Sequence, residues 1–277
     1  MTRPCGLVIM LKTSITVYNK LRNKVIEIYN HLKLSRYEKI KGRKLSIPII
    51  DAITLSLWKQ KQNIKTKKSL FEIIAPLCSY KTLVVSLNAV IKLVAIILTI
   101  LLQLNRESAH PIKFHDSTDI ETCALRKSKN HKTMNILSSY SKTGKGWFYG
   151  LKLHLTSDYK GKILNARFTS GNGSDRKQLK EMNRHLKGVF VADAGYISKE
   201  LEKDFNPEDG RLLITVPRSN MKKLATFFQI FLQRARMRIE LHFRNLKLFF
   251  GLETGLPRSI DGYLGNYLFA LVAYMVA

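Results

Sequence analysis

Hydrophobic residues in this chain change their period at Pro111, and that change constrains the fold more than any other feature. Before it, apolar positions recur every three or four residues. Val17, Leu21, Val25, Ile28 and Leu32 form one helix stripe in Thr13–Leu34. Pro48 stands just inside the start of a second helix that runs to Trp58, where a missing N–H costs nothing. A basic patch, Lys65–Lys68, precedes a further helix through Leu77. After Pro111 the period becomes two. Trp147, Tyr149, Leu151, Leu153 and Leu155 alternate with Phe148, Gly150, Lys152 and His154, and Trp147 and Tyr149 are expected in the core. Asp158–Gly161 reads as a turn and Lys162–Thr169 as the antiparallel partner strand.

Shorter apolar runs at Ile112–Thr118, Val189–Asp193 and Leu212–Val216 add strands, and helices are expected at Asp175–Leu186 and Phe227–Phe250. The order implies a mixed sheet with helices packed against it. This order matches an α/β, ribonuclease-H-like domain, expected at 109–277, preceded by a helical domain at 1–108 that is a candidate for binding DNA.

Leu83–Leu104 is apolar enough, and at 22 residues long enough, to span a bilayer. Lys92 near its middle argues instead for a bundle helix, since a central cation costs roughly 2.5–3.5 kcal/mol on insertion scales. No stable membrane association is expected. Cys5, Cys78 and Cys123 are too few and too scattered for a disulfide framework or a zinc site, which fits a reducing cytoplasm.

Charge points to the partner. The chain carries 47 Lys and Arg against 20 Asp and Glu, a formal charge of +27. Basic residues on phosphates release counterions, so this balance suits nucleic acid. Exposed basic runs at Arg126–Lys132, with Lys127, Lys129 and Lys132, and at Arg218–Lys223, with Lys222 and Lys223, are candidate phosphate contacts.

Three acids stand apart. Asp116 follows Ile112 and Phe114 at a period of two, and Asp193 follows Val189 and Val191 in the same way. Adjacent strands would present both carboxylates at one sheet edge. Glu240 lies on a basic helix beside its apolar stripe, with Arg236, Arg244 and Lys247 on the same helix. Three carboxylates gathered from strands and a helix are suited to hard divalent cations. Asp175 reads as a helix cap, with contact to the metal site or DNA as the alternative, His154 as a structural histidine, with approach to the active site as the alternative, and His115 as facing away from Asp116.

Several blocks carry a family likeness: HDST around Asp116, GWFYGLKLHL, TSGNGSDRK, ADAGYISK, and the Arg236–Glu240–Lys247 array. Together, from about Arg43 to the C-terminus, they resemble the DDE-type transposases of bacterial insertion sequences, and within them the insertion sequence 982 family. The resemblance implies a catalytic, metal-binding triad of Asp116, Asp193 and Glu240 holding two Mg²⁺ or Mn²⁺ ions per active site. It implies that element ends are cut and joined to target DNA, with Arg236, Arg244 and Lys247 on phosphates and at least a homodimer at synapsis. The site of action would be the bacterial cytoplasm, at the nucleoid. Gln233 and Asp119 depart from the family pattern, where tyrosine and proline are common. The alternatives are an inactive or truncated copy that only binds DNA, and a ribonuclease-H-like nuclease that only hydrolyses.

Overall fold

The computed structural model describes residues 12–38, 46–144, 146–215 and 226–277. Helices α1 (Lys12–His31), α2 (Ile49–Lys61), α3 (Lys67–Ile74), α4 (Tyr80–Ala89) and α5 (Ile91–Glu107) come first. Strands β1 (Ile112–Glu121), β2 (Ser139–Thr143), β3 (Gly146–Asp158) and β4 (Ile163–Ser170) follow, then helix α6 (Asp175–Met182), β5 (Gly188–Ala192), α7 (Lys199–Asp204) and β6 (Arg211–Thr215). Helices α8 (Phe227–Ala235), α9 (Met237–Leu248) and α10 (Ile260–Met275) close the chain.

The packing forms two compact units, 1–100 with 246–277, and 101–245. The expected boundary near 108 kept the C-terminal helices with the second region; in the structure α10 packs against α2 within the first unit. Asn266 explains the attachment, because its Oδ1 accepts from Gln60 Nε2 at 2.7 Å while its own amide donates to Gly251 O at 2.8 Å. Helix α2 is buried on all sides from Ala52 to Gln60, and the buried stretch includes the polar residues Thr54, Ser56, Lys59 and Gln60.

The long apolar run is two helices rather than one, with a turn at Val90. By length and composition the stretch Tyr80–Glu107 could cross a membrane, and 44% of its most apolar window is buried within the fold. Leu93, Val94, Ile97, Leu98 and Leu102 form its buried stripe, and Lys92 is exposed.

In the second unit the sheet order is β2-β3-β1-β5-β6, with β4 also paired to β3. Strands β1 and β3 pair antiparallel, whereas β1, β5 and β6 are parallel. Three antiparallel strands followed by two parallel ones, with helices against them, make this a ribonuclease-H-like mixed sheet. Strand β3 is long enough to share its outer edge between two partners, β2 over Gly146–Gly150 and β4 from Leu151 onward. The hairpin turn closes at Asp158: Gly161 N donates to Asp158 O at 3.0 Å, and Gly161 takes the positive φ of 85° that favours glycine. Leu164, Leu179, Phe190, Ala192, Tyr196, Leu201 and Phe205 pack as one buried cluster.

Two expectations are corrected. Trp147 is 60% exposed, at the end of β3, while Tyr149 is buried. The predicted helix Phe227–Phe250 is interrupted at Arg236, where Ile239 N bonds back to Arg236 O at 2.9 Å and tightens the turn.

Candidate active site

Parallel pairing of β1 with β5 sets Phe114 opposite Val191. Asp116 and Asp193 each lie two residues further on, so the two carboxylates sit at matching levels of adjacent strands; Asp193 follows the end of β5, whereas Asp116, expected at a strand end, lies in the middle of β1. Asp193 is exposed, at the point where β5 ends and a turn begins; its backbone carbonyl accepts from Tyr196 N at 2.9 Å. Asp116 is mostly covered, because β1 continues past it to Glu121 between β3 and the parallel strands.

The tightened turn between α8 and α9 delivers Arg236. Its Nη1 donates to Asp116 Oδ2 at 2.5 Å and its Nη2 to Glu240 Oε1 at 3.0 Å. One guanidinium thus bridges the strand carboxylate and the helix carboxylate. Ser117 N donates to the other oxygen, Asp116 Oδ1, at 2.8 Å. Burial pushes the Asp116 carboxyl up to about 6; Arg236 and the Ser117 N–H pull against this, and Asp193 adds to it. Burial therefore holds the Asp116 carboxyl above its usual range even with an arginine beside it.

Behind β1, on the side of Ser117, lies a second polar group. Asp175 is not the helix cap; Ser174 is, accepting from Lys177 N. Asp175 instead accepts from Ser117 Oγ at 2.9 Å and from Lys152 Nζ at 2.9 Å. The chain Asp175–Ser117–Asp116 favours the alternative reading of Asp175, near the candidate site, over the helix cap; the part of Ser117 is what sequence reasoning missed. Its signal was the cross-strand alternation that puts Lys152 and Ser117 on one face.

His115 and His154 are core residues, fully buried on that same face and stacked at 6.5 Å. Thr156 Oγ1 gives its proton to Asn183 Oδ1, so His115 Nδ1 donates to Thr156 at 2.9 Å. Burial first, then His154, pushes His115 down to about 3. Burial likewise pushes His154 down to about 4, against the pull of Asp175. Both imidazoles are neutral in the fold. Depressed values contribute stability above pH 6.5 that is lost as pH falls toward 4 and 3. The two together should weaken the fold by roughly 5 kcal/mol by pH 4. Asp116, with its raised value, offsets about half of that loss between pH 6 and 4. Urea midpoints measured from pH 7 to pH 4 should fall steeply below 6.5. A flat profile would contradict neutral, buried imidazoles.

The remaining expected residues are dispersed. Lys127 and Lys129 lie exposed on the short helical turn Leu125–Asn130, with Lys132 exposed just after it. Arg244 is exposed on α9. Lys247 pairs with Glu253 at 2.8 Å within the first unit. Lys222 and Lys223 lie outside the described residues. Among the described residues no three His, Cys, Asp or Glu side chains already converge as a metal cage. The donor set nevertheless fits a hard divalent ion: all oxygen, with one carboxylate desolvated and under-compensated.

The family model described as "Transposase DDE domain" matches residues 106–260. Among solved structures, the piggyBac transposase synaptic complex with hairpin DNA is similar over 99% of this chain and 76% of that one, at 10% identity and a TM-score of 0.50. The Mos1 mariner paired-end complex with Mn is similar over 91% and 84%, at 11% identity and a TM-score of 0.26. A comparison with curated proteins returns no match. With aspartates at matching levels of neighbouring strands, a helix glutamate tied to one of them, and a family model spanning more than half its length, the chain belongs to the DDE transposase domain family.

Proposed function

We propose that this protein binds the terminal repeats of its own insertion sequence, hydrolyses the phosphodiester at each element end, and joins the freed 3′-hydroxyl to target DNA. The single observation that carries this reading is the tie from Asp116 through Arg236 to Glu240, beside Asp193 on the next strand. Asp116, Asp193 and Glu240 would hold two Mg²⁺ or Mn²⁺ ions. Bound there, such ions lower the pKa of an attacking water and stabilise the leaving 3′ oxygen.

The chain's own residues do the rest. Ser117 N and the Asp175–Ser117 bond fix Asp116 from behind. Arg236 neutralises two of the carboxylates, and on release from them it becomes a phosphate ligand at the point of cutting. Arg244 on α9 and Lys127, Lys129 and Lys132 beyond the sheet supply further phosphate contacts, with Lys222, Lys223 and Lys247 assigned the same role. Because two ends must be brought together, the active species is at least a homodimer. We assign the chain to the insertion sequence 982 group and its action to the bacterial cytoplasm, at the nucleoid.

The test uses purified protein and labelled duplex carrying the element end. Nicking at the end only with Mg²⁺ or Mn²⁺, followed by joining to an unlabelled target, is the expected result. Nicking without joining would leave a hydrolytic nuclease. Binding with no cutting in either metal would leave a DNA-binding remnant.

A further inference from the structure

The helical unit contains a lysine that its fold leaves without a counter-charge. Lys59 on α2 is only 6% exposed, and among the described residues the one hydrogen bond of its ammonium is a long one, to Gln60 Oε1 at 3.4 Å. Among the described residues no carboxylate pairs with it. Lys113, in the other unit, shows what a structural buried lysine looks like. It is 3% exposed, and three carbonyl oxygens receive its ammonium, those of His110 at 3.1 Å, Pro111 at 3.3 Å and Lys187 at 2.5 Å. A buried ammonium with donors to spare is unfavourable unless something else completes its shell.

The surroundings of Lys59 add positive charge. Ile64 N bonds back to Lys59 O at 2.9 Å, turning the chain so that Lys65 and Lys67 follow close by. Lys67, half-buried, donates to Asn88 Oδ1 at 2.5 Å, and Lys65 donates to Asn63 Oδ1 at 3.1 Å. Neither forms an ion pair among the described residues. The three lysines have amide oxygens as partners and one another as neighbours. Burial, then Lys67 and Lys65, pushes the Lys59 ammonium down to about 8, so the group is held at the edge of losing its proton. Gln60 cannot turn away to relieve this. Its amide nitrogen is committed to Asn266, at 2.7 Å to Oδ1 and 3.0 Å to O.

We infer that Lys59, Lys65 and Lys67 form a binding site for a phosphate group, and that the phosphate is a backbone phosphodiester of DNA. The choice of DNA rests on the function proposed above; the phosphate chemistry does not. A phosphate would give Lys59 the acceptors it lacks and set one anion against three cations. The site would anchor duplex without reading its sequence, since phosphate contacts position and do not specify.

The test compares the full-length wild type with Lys59→Met and Lys59→Arg. Duplex affinity is measured over a salt series, and melting temperature with and without inorganic phosphate. Lys59→Met should melt higher than wild type, because an apolar chain of similar length replaces an unpartnered cation. It should bind duplex roughly tenfold more weakly, with the slope of log K against log salt reduced by about 0.9. Lys59→Arg should retain most of the affinity and the slope. Phosphate should raise the melting temperature of wild type and not of Lys59→Met. Unchanged affinity and slope in Lys59→Met would overturn the site, and a lower melting temperature would show Lys59 to be structural. If wild type binds no duplex yet phosphate, or vesicles of phosphatidylglycerol, still stabilise it through Lys59, the phosphate site stands and its DNA source falls. In that case the transposase reading falls separately.

Discussion

Asp193→Asn is expected to lower metal-dependent cleavage by roughly a thousandfold or more, about 4 kcal/mol on the barrier, while leaving folding and duplex affinity as they were. Asp193 is exposed, and the hydrogen bond its residue makes to Tyr196 uses the backbone carbonyl, which asparagine keeps. The change therefore removes one anionic oxygen donor and little else. Glu240→Gln should lose activity to a similar degree. Asp116→Asn should do so without a stability penalty, because burial makes the neutral form the one the fold favours and Arg236 keeps Glu240 as its charged partner at 3.0 Å. Arg236→Gln should be the least stable of the set, since it strands the Asp116 carboxylate in a desolvated position with Asp193 nearby. Cleavage rates for the four proteins, beside their melting temperatures, would separate the roles. Wild-type cutting by Asp193→Asn would end the claim that this carboxylate belongs to the active site.

Gly150→Ala should cost on the order of 4 kcal/mol or more, or prevent folding altogether. Gly150 stands where β3 changes partner, opposite Ser139 of β2 and just before Leu151 meets β4. A Cβ there would lie 2.0 Å from Ile120 O and 3.0 Å from Thr122 N, both backbone atoms. No rotamer relieves such a contact; the neighbouring backbone would have to leave the ladder, taking with it the bond from Thr122 N to Tyr149 O at 3.1 Å. Gly144 is the matched control, with nothing within 4 Å of an added Cβ, and its alanine variant should stay within about 0.5 kcal/mol. Urea unfolding of the two variants measures the difference. A wild-type midpoint for Gly150→Ala would mean that this crossing is not close-packed.

Gly150 also shows why some of this fold could be read from the sequence and some could not. The alternation from Trp147 to Leu155 was legible because β3 is buried against strands on both edges and its side chains sort by face. Strand β2 was not: Ser139–Thr143 is Ser-Tyr-Ser-Lys-Thr, with no residue fully buried, and it exists because β3 offers it an edge. Strand β1 reads as ending at Thr118 but continues to Glu121, since pairing with β3 carries polar residues along. The two aspartates were legible as a repeated local pattern, although only Asp193 proves to stand at a strand end. The role of Arg236 was not, because one helical period places it beside Glu240 but says nothing of a strand aspartate 120 residues away. Nor does composition distinguish Lys59, buried without a counter-charge, from its solvated neighbours.

The guanidinium shared by Asp116 and Glu240 has a consequence for when the site becomes competent. Domains whose acidic or thiolate ligands repel one another until an ion arrives can fold only as fast as that ion is supplied. Here the counter-ion is encoded in the chain and arrives with translation. On the proposed reading, maturation of the polypeptide is uncoupled from the supply of divalent cations, and a newly made molecule would stand complete and silent until it is loaded.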